Sequence, residues 1–126
     1  MPTREQVRQA VKDTVALSYS GNTYTSRRSD TRNDKEFVQV FVAQGDVEPV
    51  MGLTFSTEAL LYVSYYKQLA DDSDLDTVAD QIRTSILTDS TLRSVLGAIA
   101  YAGYEYGDLD DGTPGITHRF TIKYSD

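Results

Sequence analysis

Leu53 to Lys67, LTFSTEALLYVSYYK, is the stretch whose reading decides the fold. Leu53, Phe55, Ala59, Leu61, Val63 and Tyr65 fall on one set of alternate positions, and Thr54, Ser56, Glu58, Ser64 and Tyr66 fall on the other. Alternation of this kind sets one face of a strand on a core and the other in water. Leu60, Val63 and Lys67 would also line a short helix after Ser56 or Thr57, so period alone leaves two readings. The aromatic and β-branched content of YVSYY favours the strand. Just upstream, EFVQVFVA (Glu36 to Ala43) is apolar at nearly every position, which suits a strand covered on both faces. The two segments are expected to form the spine of a sheet, with a glycine-bounded hairpin loop, GDVEPVMG (Gly45 to Gly52), between them.

Before the spine, Thr3 and Gln6 have capping-box spacing, and Val7, Ala10, Val11 and Val15 recur at helical intervals, predicting an amphipathic helix from Thr3 to about Ser18. Ser20, Gly21 and Asn22 stop it, and Thr23 to Arg28 is a short polar strand candidate, at a sheet edge or leaving the sheet. Ser26 to Lys35, SRRSDTRNDK, is a charged loop without an apolar anchor. After the spine, Ser73 is placed to cap a second helix from about Asp74 to Leu87, with Leu75, Val78, Ala79, Ile82 and Ile86 on one face. Leu92, Val95, Leu96 and Ile99 predict a short third helix, weakened by Gly97. Tyr104 and Tyr106 flank Glu105 in a short strand, DLDDGTPG (Asp108 to Gly115) turns, and Ile116, His118, Phe120, Ile122 and Tyr124 alternate with polar residues in the closing strand. The expected fold is α/β of the α+β type: a mixed, mainly antiparallel sheet of four to five strands with helices packed on it, in the order α-β-β-β-α-α-β-β.

The 126 residues fit one domain, since single cores are commonly built from about 100 to 150 residues. Net charge is −7, which opposes a general affinity for phosphate backbones. That charge is unevenly laid out. Met1 to Lys35 holds seven bases against four acids, and the remainder holds five bases against fifteen acids, so one end of the chain can attract the other or a neighbouring copy. There is no cysteine, which excludes disulfides, thiolate catalysis and Cys-ligated zinc. MPTREQVRQAVKD has no apolar run of signal-peptide length, and no segment approaches the ~20 apolar residues of a membrane span. Cytosol, or a particle assembled there, is the expected location.

Little in the sequence points to catalysis. His118 is the single histidine and shares a strand face with Ile116 and Phe120, where one hydrogen bond would satisfy it; no Ser/His/Asp spacing supports a hydrolytic triad. From Asp108 to Gly112 the run has the look of a calcium loop, but Gly112 comes one residue too early and the twelfth position is Arg119 rather than Glu, so an EF-hand fails. Asp108, Asp110 and Asp111 remain a candidate loose site for a hard divalent ion, against the simpler reading of an acidic, solubilising turn. The glycines match no phosphate-binding loop. Nine tyrosines would offer stacking platforms, yet six of them, Tyr62, Tyr65, Tyr66, Tyr104, Tyr106 and Tyr124, sit in expected strands, where tyrosine suits half-buried faces and interfaces. Arg27, Arg28, Arg32 and Lys35 form the basic cluster, either a solvated loop, or a patch that docks on acids of an adjacent subunit or lines a channel. Asp71, Asp72, Asp74 and Asp76 complement a helix dipole, and Asp71 and Asp72 double as candidates for the acidic side of that contact. Val47, Val50 and Met51 place apolar side chains in an otherwise polar loop, a reason to expect contact with a partner there, with Glu48 beside them as a further contact candidate.

In the order of its elements and in its C-terminal residues, the chain resembles the tail terminator proteins of long-tailed bacteriophages, the minor tail protein U type of lambda-like phages. The resemblance rests on AGYEY (Ala102 to Tyr106), on the acids Asp108, Asp110 and Asp111, and on FTIKY (Phe120 to Tyr124). The REQVRQAV helix and the two long strands with their loop also carry it, so that nearly the whole chain is covered. It implies a structural phage or prophage protein that forms a six-membered homo-hexameric ring on the tail tube, ends tube polymerisation and offers a surface to the head-completion (connector) protein. DNA would pass through the ring without specific binding, and the protein would reside in the virion tail after assembly in the bacterial cytoplasm. No enzyme activity, catalytic residue or cofactor is implied, with a divalent cation aiding assembly as the exception the acidic turn allows. Gly103, Tyr104, Tyr106, Phe120, Ile122 and Tyr124 look structural in that light. Ring closure needs a head-to-tail interface between unlike patches: the basic loop with Arg27, Arg28, Arg32 and Lys35 against Asp71 and Asp72, while Val47, Glu48, Val50 and Met51 meet the major tube protein. The alternatives are a small α/β binding module of unknown ligand and, less supported, a small enzyme, for which no nucleophile, acid pair or cofactor signature converges.

Overall fold

The computed structural model of the chain describes residues 3–25, 34–49 and 55–125. The element order is α1 (Arg4–Val15), β1 (Thr23–Tyr24), β2 (Glu36–Pro49), β3 (Phe55–Lys67), α2 (Asp72–Thr88), α3 (Ser90–Val95), β4 (Ala98–Asp108) and β5 (Pro114–Ser125). This is the expected α+β class and order. The strands form one five-stranded sheet, β1-β2-β3-β5-β4, antiparallel except for the parallel β1–β2 pair. None of the described helices is long and apolar enough to cross a membrane.

β2 and β3 are the spine. Their register runs from Glu36 opposite Lys67 to Pro49 opposite Phe55, with a bulge between Val42 and Gln44. The expected Gly45–Gly52 loop is therefore strand as far as Pro49, because the ladder continues through Gly45, which accepts the close approach of Ala59 and Thr57. Ala59, Leu61, Val63 and Tyr65 are buried as the alternation predicts. The other face is drier than expected. Ser64 is enclosed and shares a 2.7 Å hydrogen bond with Thr117, its partner on β5, and Phe37 is fully buried between Tyr24 and Tyr66.

All three helices lie on one side of the sheet, where Val38, Val40, Leu61, Val63, Phe120 and Ile122 form the floor of a single apolar core. α1 is held at its start by the Thr3–Gln6 capping box and buries Val7, Val11 and Val15. α2 begins earlier than the sequence reading placed it. Asp71, not Ser73, is the N-cap, and a reciprocal box with Asp74 fixes it (Asp74 N–H to Asp71 Oδ1, 2.9 Å). Its buried face is Leu75, Ala79, Ile82 and Ile86.

The third helix is shorter than predicted and Ile99 is not in it. Leu96 already has extended backbone, and the Gly97 N–H bonds the Lys123 carbonyl at 2.7 Å, so the chain joins the sheet at Ala98. β4 is consequently an eleven-residue strand rather than a short one. It carries a second bulge between Tyr101 and Gly103, where Gly103 adopts a φ of +124°, the region that glycine enters without a Cβ penalty. Of the expected strand Thr23 to Arg28, the structure shows Thr23–Tyr24; Thr25 follows it, and the rest lies outside the described residues.

Candidate functional site

The β4 bulge builds the site. In an unbroken strand Tyr101 and Tyr104 would point to opposite faces. With one extra residue between them, Tyr101 stands opposite Phe120, Tyr104 opposite His118 and Tyr106 opposite Ile116, so all three aim at the helix-bearing side. Above them runs α2. Burying Leu75, Ala79, Ile82 and Ile86 turns Asp76, Asp80 and Arg83, at helical spacing, toward the β4–β5 hairpin. Asp76, Asp80, Arg83, Tyr104, Tyr106, Ile116 and His118 line the resulting cleft of about 190 Å3.

His118 is its floor, with 2% of the residue exposed. Nδ1 is 2.8 Å from the Tyr101 hydroxyl. Nε2 has no hydrogen-bond partner among the described residues, although Asp80 Oδ1 stands 3.5 Å away. Burial lowers the His118 pKa, and the Arg83 guanidinium lowers it further; Asp80, the Ala79 carbonyl and Asp76 pull the other way without prevailing. The imidazole is thus neutral near pH 7. Arg83 is fixed by two contacts, Nη2 to Asp80 Oδ1 at 3.7 Å and its guanidinium carbon 5.1 Å from the centre of the Tyr101 ring. On the outer wall the Tyr106 hydroxyl donates to Asp76 Oδ1 at 2.6 Å, and this bond to a carboxylate pushes the Tyr106 pKa up to about 12. Tyr104 packs edge-on against Tyr106 at 5.8 Å.

The cleft therefore presents two carboxylates, one guanidinium already engaged, a buried neutral imidazole beneath them, and two exposed phenol rings. Among the described residues it shows no activated nucleophile: the side chain that His118 hydrogen-bonds is a tyrosine. His118 thus has the single bond and the apolar strand neighbours read from the sequence. Asp76, Asp80 and Arg83 were not singled out as a set. Their signal was present in the i, i+4, i+7 spacing on the polar flank of α2, and Gly103 inside an aromatic strand was the signal for the bulge.

The other candidate residues are dispersed. Asp71 is consumed by the α2 capping box, and Asp72 is exposed in the same first turn. Lys35 is exposed, and its carbonyl accepts from the Gln68 N–H at 2.8 Å, which ties the end of the basic segment to the β3–α2 connection of its own subunit. Asp34 is held there as well, by Asn22 at 2.8 Å and by the Tyr24 hydroxyl at 2.6 Å. Val47 is 56% exposed on the β2 arm. Arg27, Arg28, Arg32, Val50 and Met51 lie outside the described residues, as does the side chain of Glu48. Asp108 closes β4, while Asp111 accepts the Thr113 N–H at 3.0 Å inside the turn. No three acidic or histidine side chains among the described residues come together as a metal-binding group, and Asp108, Asp110 and Asp111 are no exception. Set against known proteins, the chain matches no family model, and none of the curated proteins matches it in sequence.

Proposed function

We propose that this chain is a structural subunit that closes with copies of itself into a ring on the end of a phage tail tube, stops tube growth and presents the surface on which the head-completion protein docks. The observation that carries this reading is the sheet's pair of unlike edges. At one end β4 has no strand beyond it, and at the other β1 covers β2 only at Val38 and Gln39 among the described residues. A ring needs two different surfaces on each subunit that are complementary to each other, and a sheet with two dissimilar open edges supplies two such surfaces. β4 has neither proline nor lysine, and its bulge between Tyr101 and Gly103 confines any edge pairing to the segments on either side of it. Apolar side chains are also exposed at both ends of the β3 axis, Val47 on the hairpin arm and Leu69, wholly exposed, just past the far end. A plug between tube and head needs contacts at both ends.

Light scattering on a sizing column across protein concentration, followed by negative-stain imaging, tests the ring. Closed particles of uniform subunit number support it. A monomer at every concentration that also fails to cap purified tubes refutes it. Within the ring reading, reversing the charge of Arg27 and Arg28 is expected to weaken closure, and Val47→Ala with Met51→Ala to weaken capping while leaving closure intact.

A further inference from the structure

We propose that the outward flank of α1, carrying Arg4, Arg8 and Lys12, docks along the outward flank of α2, carrying Asp72, Asp76 and Asp80, in a second copy of this chain. The inference rests on the ring reading and deepens it, by assigning to two helices the contact that closes the ring.

The α1 flank follows from spacing. Residues four apart on a helix share one side, so Arg4, Arg8 and Lys12 form a row beside the buried seam of Val7, Val11 and Val15. Arg4 is exposed, Arg8 and Lys12 are half-buried, and none of the three forms an ion pair among the described residues. The α2 of the same subunit lies across the seam from them. There the Thr14 hydroxyl donates to Asp89 at 2.7 Å, and Ser18 shares a groove with Thr77, Gln81 and Thr84. The basic row instead overhangs β2. Arg4 lines a recess with Val42, Gly45 and Val47, on the stretch of β2 that β1 leaves uncovered among the described residues.

The α2 flank repeats the pattern with opposite sign. Asp72, Asp76 and Asp80 are again four apart, beside the seam of Leu75, Ala79, Ile82 and Ile86. The bond from Tyr106 to Asp76 turns this row toward β4, the open edge on the far side of the sheet from β2. Asp72 is exposed, and the Asp80 side chain, at the crest of the helix, is 50% exposed. The basic row has Glu5 as the one acid beside it, three bases against one acid, and the acidic row has Arg83 as its one base, three acids against one base. The flanks thus carry charges of +2 and −2 on opposite sides of the subunit, as a head-to-tail contact requires.

The two rows also match in period and sense. Each repeats at about 6 Å, four times the helical rise per residue, so three contacts come into register together. α1 begins at the β2–β3 arm and leads to Tyr19, whose ring lies 5.7 Å from that of Tyr65. α2 begins just past Lys67, and α3 carries the chain back to the arm, where the Gly97 N–H meets the Lys123 carbonyl. The helices are therefore antiparallel, and in a ring whose axis follows the strands the pairs are Lys12 with Asp72, Arg8 with Asp76 and Arg4 with Asp80. A two-fold dimer through either flank would set like charges against each other, which selects the head-to-tail arrangement.

Two charge-reversed full-length chains are compared with the wild type by light scattering on a sizing column: Arg8→Glu with Lys12→Glu, and Asp72→Lys with Asp76→Lys. Urea midpoints near that of the wild type show each to be folded, as substitutions on exposed helix flanks should be. Each reversed chain alone is expected to need about tenfold or more higher concentration to assemble, a difference that shrinks as salt is raised. An equimolar mixture of the two is expected to assemble as the wild type does. Copies alternating around an even-membered ring set every reversed row against one of opposite sign, whatever the register. Assembly of either reversed chain at the wild-type concentration, or a mixture that stays dissociated, overturns this inference, and wild-type rings in the same experiment leave the ring reading standing. A wild-type chain that is monomeric both in solution and on purified tubes overturns the two together.

Discussion

Replacing Gly115 with Ala tests whether the helix-free face of the sheet is held by the aromatic layer that sits on it. Gly115 pairs with Tyr66 across β5 and β3. An added Cβ would lie 2.1 Å from Tyr66 Cδ1, 2.4 Å from Cε1 and 3.0 Å from the Tyr65 carbonyl oxygen, so the ring must leave its seat. Tyr66 is what covers one side of Phe37, with ring centres 5.4 Å apart, and Phe37 is fully buried on a face no helix protects. Forcing an extra methyl into packed surroundings costs about 1–3 kcal/mol. Replacing glycine where its φ is ordinary returns about 0.4–1 kcal/mol by narrowing the unfolded ensemble. The net expectation is a loss of about 1–2 kcal/mol, read from urea melts at equilibrium. Tyr66→Ala supplies the control, since removing the ring removes the two shortest contacts and leaves the tighter-than-usual 3.0 Å approach to the Tyr65 carbonyl oxygen, which the entropic gain of alanine offsets. In that background Gly115→Ala should fall within about 0.5 kcal/mol of neutral, giving a coupling of roughly 1–2 kcal/mol between the two sites. Equal costs in both backgrounds, or a stabilised Gly115→Ala single variant, would refute the reasoning.

Four further outcomes are expected. Leu69 has a φ of +61° and is wholly exposed; Leu69→Gly should stabilise the isolated chain by about 0.5–1 kcal/mol, the left-handed penalty less the entropy glycine adds to the unfolded state, while ring or capping assays lose whatever contact the leucine makes. Asp89 caps α3 through the Thr91 N–H at 3.0 Å and accepts the Thr14 hydroxyl of α1 at 2.7 Å, so Asp89→Ala should cost about 1–3 kcal/mol in thermal or urea unfolding, more than an isolated cap. Because burial lowers the pKa of His118, the unfolded chain takes up its proton first as pH falls. Its stabilising contribution is complete above the unfolded value of about 6.5 and declines below it, by at most ~1.4 kcal/mol per pH unit until the folded pKa is reached. Urea midpoints between pH 7.5 and 5 should show that slope, and His118→Gln should flatten it. Gly103→Val puts a β-branched residue at a φ of +124° with its Cβ 3.0 Å from Arg119 Nη2; a loss of about 1–3 kcal/mol is expected, with changed fluorescence from Tyr104 and Tyr106 as the bulge rearranges.

Elements whose pattern repeats over many residues were legible, and elements decided by one residue were not. The alternation of β3 and of β5 named their buried faces correctly, and the valines of α1 did the same for its stripe. The α2 start was misplaced by competition among equals: Asp71, Ser73 and Asp74 are all good caps, and Asp71 prevails because its side chain reaches the Asp74 N–H while Asp74 reaches back. α3 was drawn too long because Ile99 sits at a helical interval from Leu92, Val95 and Leu96. That interval carries no information about Gly97, whose hydrogen bond to Lys123 commits the chain to the sheet. The β2–β3 loop was drawn too long for a related reason, since Gly45 and Pro49 read locally as breakers but occupy ladder positions in the structure.

The cleft over His118 was invisible for a deeper version of the same cause. A period-two reading of β4 assigns Tyr101 and Tyr104 to different faces, and only an inserted residue reunites them. The bulge is thus both the irregularity that defeats the pattern and the device that brings three tyrosines over α2, in the manner of bulges that re-aim side chains next to sites. The cost is borne at Gly103, whose backbone conformation suits no other residue as well, and the gain appears at Tyr101, Tyr104 and Tyr106, each of which then contacts His118, Arg83, Asp76 or another of the three. Tyr104 and Tyr106 are 56% and 44% exposed, so the bulge contributes little apolar burial there, while it leaves a buried imidazole facing an acidic cleft. The distortion therefore does two things at once: it lays Tyr101 against Phe120 and the core, and it turns Tyr104 and Tyr106 to the rim over the imidazole.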